Sequence, residues 1–110
     1  MQEAGKLKGY QRAELMKLAH HLDPVVTIGK NGASEALERH FERELEQHEL
    51  VKVRFSDHKE ARRQIAPDLA GKTGAILVSV VGHVAVFYRQ ARNPELRTIR
   101  IPYRPGDEIT

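Results

Sequence analysis

The sequence predicts a single α/β domain in which elements follow the order α-β-α-β-α-β-β and four strands form a mixed sheet with helices packed on it. Three observations carry that expectation. Apolar residues recur at helical spacing in three separate segments. Short β-branched or alternating runs separate those segments. The last two apolar runs are joined by Gly82-His83, which suits a hairpin and so adds an antiparallel pair to a sheet otherwise built by helical crossovers.

Each element has its own signal. Leu15, Leu18, Ala19 and Leu22 share a stripe within a helix expected over Lys8 to Leu22, which Asp23-Pro24 ends because the residue before proline avoids helical geometry. Val25 to Ile28 is short and β-branched, a buried strand. Ser34 suits an N-cap, Glu35 the first turn, and Leu37, Phe41 and Leu45 the buried stripe of a second helix ending near Gln47 or His48. Leu50 to Phe55 alternates, with Val51, Val53 and Phe55 toward a core and Leu50, Lys52 and Arg54 on a face expected to be largely solvated. Asp57 and Glu60 have capping-box spacing ahead of a third helix marked by Ala61, Ile65 and Leu69. Pro67 predicts a kink or early end there. Ala75 to Val81 is the longest apolar run and reads as the central strand, followed by Val84 to Tyr88. Ile99 and Ile101 suggest a short edge strand, and the tail past Pro105 is expected to be loose.

Composition narrows the class of function. The chain has 110 residues, no cysteine and a formal net charge of +3. Thiolate chemistry, disulfides and zinc knuckles are therefore excluded. A reducing cytoplasmic setting is the expectation. No apolar run follows Lys6 and Lys8, so no signal peptide is expected, and no stretch approaches a membrane span. Charge is unevenly placed: residues 33–50 carry six acids against two bases, while the flanking segments are all net basic. A basic body with one acidic helix can orient on an anionic surface.

The turn Gly29-Lys30-Asn31-Gly32, between the first strand and the second helix, concentrates the chemistry. Two glycines keep side chains away from a ligand, the following helix opens with unpaired N–H groups, and Lys30 adds a cation. Such a place suits a phosphate of a polyanion. A nucleotide P-loop is excluded, because Pro24 and Asn31 stand where it needs glycine and Ser or Thr. The six histidines show no metal-ligand spacing, and Ser34, Ser56 and Ser79 lack a nucleophile context. No enzyme activity, cofactor, metal or small-molecule substrate is expected.

Several blocks together resemble the YhbY-like RNA-binding family, also called the CRM domain. They are Leu18 to Val26, Ile28 to Gly32, His48 to Val53, Thr73-Gly74-Ala75 and Val86-Phe87-Tyr88-Arg89, in family order and spacing over roughly residues 8–90. The sequence departs from the pattern at His83, where lysine is common, and at Gln90, where proline is common. The resemblance implies a fold like the C-terminal domain of translation initiation factor 3 with an added first helix. It also implies RNA binding through a KH-like G-x-x-G loop at Gly29 to Gly32, and it is similar to the stand-alone bacterial form that associates with the precursor of the large ribosomal subunit. Residues 1–92 are then the RNA-binding domain and 93–110 an extension without assigned role.

The expected RNA contacts are Gly29, Lys30, Asn31 and Gly32, with Arg12 and Lys17 on the polar side of the first helix, Lys52 beside Arg54 on the outer strand face, and Arg89 after the last strand. Few aromatics and no RNP1 pattern favour backbone and shape readout over base stacking, which suits structured ribosomal RNA. A monomer is expected. The alternative is a protein-interaction module on a ribonucleoprotein, using the acidic helix or the hairpin edge with little direct RNA contact.

Overall fold

The computed structural model describes residues 7–29, 31–56 and 59–101. Its elements are α1 (Gly9–Ala19), β1 (Val26–Ile28), α2 (Glu35–His48), β2 (Leu50–Phe55), α3 (Lys59–Thr73), β3 (Ile76–Val81) and β4 (Val84–Tyr88), followed by a short 3-10 turn over Pro94–Leu96. The predicted order holds, and the four strands form one mixed sheet. Strand order is β1-β2-β4-β3. β1 runs parallel to β2 with Val26 opposite Val53, whereas β4 is antiparallel to both β2 and β3.

Two apolar layers sandwich the sheet. On one face Val51, Val53, Phe55, Ala85 and Phe87 pack with Phe41 and Leu45 of α2 and Ala66 and Leu69 of α3. Phe41 meets Phe87 edge to face at 4.8 Å, the favoured aromatic geometry. On the other face Leu50, Val78, Val86 and Tyr88 pack with Leu15 and Ala19 of α1, joined by half-buried Ile99 and Ile101. The period of two along each strand divides these sets between opposite faces.

Local chemistry sets the helix limits. Ser34 Oγ accepts the Leu37 N–H at 3.2 Å and starts α2. Glu49, at φ 66, reverses the chain after α2 while its N–H stays on Leu45 O. Gly74, at φ 74, does the same after α3, with Ala75 N–H reaching back to Ala70 O at 3.1 Å. α1 stops at Ala19, three residues short of the predicted Leu22, leaving His20 to Leu22 as a turn.

Four expectations are corrected. Ala75 to Val81 is not central: β3 is an edge strand, and β2 and β4 hold the middle. Its apolar run reflects coverage from both layers, with Leu77 facing α2 and α3 and Val78 facing α1, and its exposed end leaves Val81 67% accessible. The Leu50 face of β2 is not largely solvated, since α1 buries Leu50 and only the Lys52 and Arg54 end stays open. Of the two outcomes expected at Pro67, the early end does not occur: α3 runs on to Thr73, with Ala66, Leu69 and Ala70 buried around the proline. Ile99 and Ile101 form no strand; they pack beneath α1 instead. The Asp57–Glu60 capping box and the tail past Pro105 lie outside the described residues. Among the described residues, no helix is long and apolar enough to cross a membrane.

Candidate nucleic-acid interface

Parallel pairing of β1 and β2 brings their carboxyl ends to one edge of the sheet, and the β3–β4 hairpin turns at that same edge. Ser56 N–H donates to Ile28 O at 2.9 Å, and Phe55 N–H donates to His83 O at 2.7 Å. The 29–32 turn, the start of the β2–α3 connection and the Gly82-His83 hairpin therefore converge. The exposed Arg54 stands on β2 between Thr27 and Val84 just inside that edge.

The turn closes through its own backbone, with Gly32 N–H on Gly29 O at 3.0 Å. The two glycines are used differently. Gly32 sits at φ 73, a left-handed conformation that a side chain resists. Gly29 has no such φ, and a Cβ there would meet only Ser56 Oγ at an ordinary 3.7 Å. Packing does not demand glycine at 29. Gly29 and Asn31 are exposed, and Lys30 between them lies outside the described residues. Beyond Ser34, the first N–H groups of α2 lack intrahelical carbonyls, so the turn leads into a partial positive charge.

The other predicted contacts are dispersed. Arg12 and Lys17 belong to α1, across the sheet from α2, and so do not flank the turn from its own layer. Arg12 Nε donates to Val78 O at 2.8 Å and ties α1 to β3. Lys17 projects into solvent beside Glu14 at 3.6 Å, a weak surface pair. Lys52 Nζ donates to Leu22 O at 2.9 Å and fastens the loop before β1.

Arg89 is drawn inward, only 9% exposed. Its Nη1 donates to Thr73 O at 2.9 Å, capping the negative end of α3. Nη1 also lies 3.7 Å from Glu42, and Nη2 lies 3.6 Å from Glu46. These contacts engage both Nη atoms within the protein, while the buried Nε has no hydrogen-bond partner among the described residues.

Two carboxylates not anticipated from the sequence hold the segment that leads from β4 into the extension. Glu46 accepts the Arg92 and Asn93 N–H groups, each at 2.9 Å. Those two bonds, chiefly, and the Arg89 and Arg92 charges hold its carboxyl below the usual carboxylate range. Glu49, fully buried, accepts from Ala91 at 2.8 Å, Thr98 at 2.8 Å and Ile99 at 3.0 Å. The readable signal was their position, at the end of an amphipathic helix where buried Leu45 sits between the helix and the sheet. Beside Glu49, burial pushes the Tyr88 phenol up to about 12. Among the described residues no three His, Asp or Glu side chains are grouped to hold a metal. His40 instead contacts Val25 O at 3.2 Å, and His20 and His21 stack edge to face at 5.4 Å.

Comparison with known proteins agrees with this architecture. The chain matches the CRS1 / YhbY (CRM) domain over residues 7–89. It is 35% identical over 91 residues to a Haemophilus influenzae protein named "RNA-binding protein", covering 82% of this chain and 92% of that one. A Bacillus subtilis relative, named "Probable RNA-binding protein", is 30% identical over 97 residues, covering 87% of this chain and 99% of that one. The solution structure of a hypothetical Staphylococcus aureus protein superposes with a TM-score of 0.71 at 33% identity, covering 88% of this chain and all of that one. With its three helices, its β1-β2-β4-β3 sheet and a match across most of its length, the chain belongs to the CRS1/YhbY (CRM) domain family.

Proposed function

We propose that this protein binds structured RNA by its sugar-phosphate backbone, with the 29–32 turn as the central contact, and that its target is ribosomal RNA of the assembling large subunit in the cytoplasm. The RNA-binding relatives and the family support the class of ligand. One observation carries the turn: Gly29 is a glycine that the fold does not need, placed in the open ahead of a helix N-terminus. Absence of a side chain there serves a partner that approaches the backbone closely. Lys30 adds a cation to the sequence of the turn, and Arg54 extends the positive charge along the same edge of the sheet. Arg89 is not among the contacts in this reading, because its guanidinium is already bonded within the protein.

The alternative, an acidic docking helix, is weakened by what the acids of α2 do. Glu42, Glu46 and Glu49 serve Arg89 and the extension, so the helix presents less free negative charge than its composition suggests.

Binding of fragmented large-subunit ribosomal RNA, measured against salt, tests the proposal. Gly29→Ala and Lys30→Glu are expected to lower affinity about tenfold or more and to flatten the salt dependence. Gly29→Ala should melt within about 0.5 kcal/mol of the parent protein, as expected where no named mechanism of destabilisation applies. Unchanged binding by both variants would sink the turn-centred mechanism. Crosslinking in cells followed by sequencing tests the target, and no enrichment of large-subunit precursor RNA would remove the ribosomal assignment.

A further inference from the structure

A cleft of about 370 Å³ opens beside the carboxyl half of α2, lined by Arg39, Glu42, Arg43, Glu46, Arg89 and Arg92. Its charges are not equally available. Both oxygens of Glu46 are bonded to the backbone amides of Arg92 and Asn93, and Glu42 and Glu46 face Arg89 at the floor. Arg39 is exposed and only 4.0 Å from Glu35, itself open to solvent, a pair of little strength. Arg43 and Arg92 are exposed, and among the described residues neither guanidinium makes an ion pair within 4 Å, although the Arg92 charge reaches Glu46. The cleft is therefore a net-positive recess on a helix whose composition is acidic. Its walls are planar, weakly hydrated guanidinium groups, the side chains best suited to phosphate oxygens.

Two structural facts tie the cleft to the rest of the molecule. Arg43 lies on the helix that begins at the 29–32 turn, about 12 Å along its axis from Glu35 at about 1.5 Å per residue. Arg92 follows β4 just ahead of the extension, beyond residues 7–89 of the family domain, and is held at the rim by its own N–H on Glu46. The neighbouring amides of Ala91, Thr98 and Ile99 on Glu49 fix the path that delivers it.

We propose that this arginine cleft is a second phosphate-binding site, which takes the RNA backbone where it leaves the turn, and that the C-terminal extension, anchored on Glu46 and Glu49, serves to hold Arg92 in place to complete it. This rests on the RNA-binding reading above for the identity of the ligand, but the site itself can be tested without RNA.

The first arm uses inorganic pyrophosphate and the guanidinium Nε–Hε signals of the folded full chain by NMR. Saturable shifts at Arg43 and Arg92, with none at exposed Arg100, are expected. Equal shifts at all three, or none, overturn the site. The second arm uses fragmented large-subunit ribosomal RNA with Arg43→Ala, Arg92→Ala, the double variant, and Arg100→Ala as a control of equal charge change. The double variant is expected to bind about tenfold more weakly and to lose about 1.4 to 1.8 from the slope of log K against log salt, two phosphate contacts' worth. Arg100→Ala should change little. An effect of Arg100→Ala equal to that of either cleft substitution would reduce the effect to net charge and overturn the proposal. Retention of parent affinity by the double variant would overturn it as well, while leaving the turn intact as the RNA contact. Pyrophosphate binding in the cleft together with no RNA binding by the parent protein would instead defeat the RNA reading and keep the anion site. Circular dichroism spectra matching the parent are expected, since both side chains are exposed.

Discussion

Replacing Glu49 tests whether the extension is part of the folded unit. Its carboxylate is fully buried and receives three N–H bonds, from Ala91, Thr98 and Ile99. Bonds to a charged acceptor contribute about 1.5–3 kcal/mol each. Their sum is an upper limit, because the extension can undock and rehydrate its amides. Undocking exposes the apolar area of half-buried Ile99 and Ile101, about 1 kcal/mol apiece when partly buried. Glu49→Ala is then expected to cost about 3 kcal/mol, a large share of the stability of a small domain. The melting temperature should fall by about 12 °C, at about 4 °C per kcal/mol. Glu49→Gln keeps the shape and one accepting oxygen but sets an NH2 donor against an N–H, and about 2 kcal/mol is expected. Glu49→Gly separates carboxylate from backbone. It relieves the φ of 66 by about 1 kcal/mol, yet should remain well below the parent if the carboxylate matters. Thermal unfolding gives the magnitude, and hydrogen exchange at Ala91, Thr98 and Ile99 gives the location. A Glu49→Ala protein that melts with the parent while those three amides stay protected would mean that the carboxylate does not anchor the extension.

Glu46 makes acid sensitivity local. Its folded carboxyl is held low, so its contribution is complete above the ordinary value of 4.5 and is lost as pH falls through the depressed folded value. Amide signals of Arg92 and Asn93 should move in that acid range, and Glu46→Gln should abolish the movement; an unchanged titration in the variant would discount the bond. Tyr88, raised to about 12, keeps its proton in the fold where an unfolded chain loses it near 10. Stability should therefore decline between those pH values, and Tyr88→Phe should remove the decline; absorbance of phenolate checks the assignment. Gly32→Ala is expected to cost about 1 kcal/mol from its left-handed backbone, measured by urea unfolding, whereas Gly29→Ala costs little. Equal effects would contradict the different roles given to the two glycines. Arg89→Met should destabilise by about 2 kcal/mol, since buried Thr73 O loses its donor while part-exposed Glu42 and Glu46 can turn to water.

Much of the fold is legible because its signals are local. Ser34 caps α2 through the Leu37 N–H only three residues on. Leu37, Phe41 and Leu45 form a stripe whose period is that of the helix itself. Gly82, at φ 58, permits the hairpin turn that pairs β3 with β4. The turn at 29–32 was readable for the same reason, since two glycines ahead of a capped helix define its geometry without distant help.

What was not legible depends on residues brought together from far along the chain. Pattern alone cannot tell a strand covered on both faces at the sheet edge from one in its middle, and β3 is the former. Arg89 reads as a surface cation until Thr73, Glu42 and Glu46 are seen around it.

The kinds and order of the elements, the bend ahead of α2 and the uneven charge follow from local sequence, because propensity, periodicity and glycine act over a few residues. Tertiary structure alone decided which charges are spent inside and which face outward. Glu49 meets amides 42 to 50 positions later, and that encounter turns an acid at a helix end into the anchor of the extension. The fate of a charged group follows the partners that burial supplies, and those are set by how the layers close on one another.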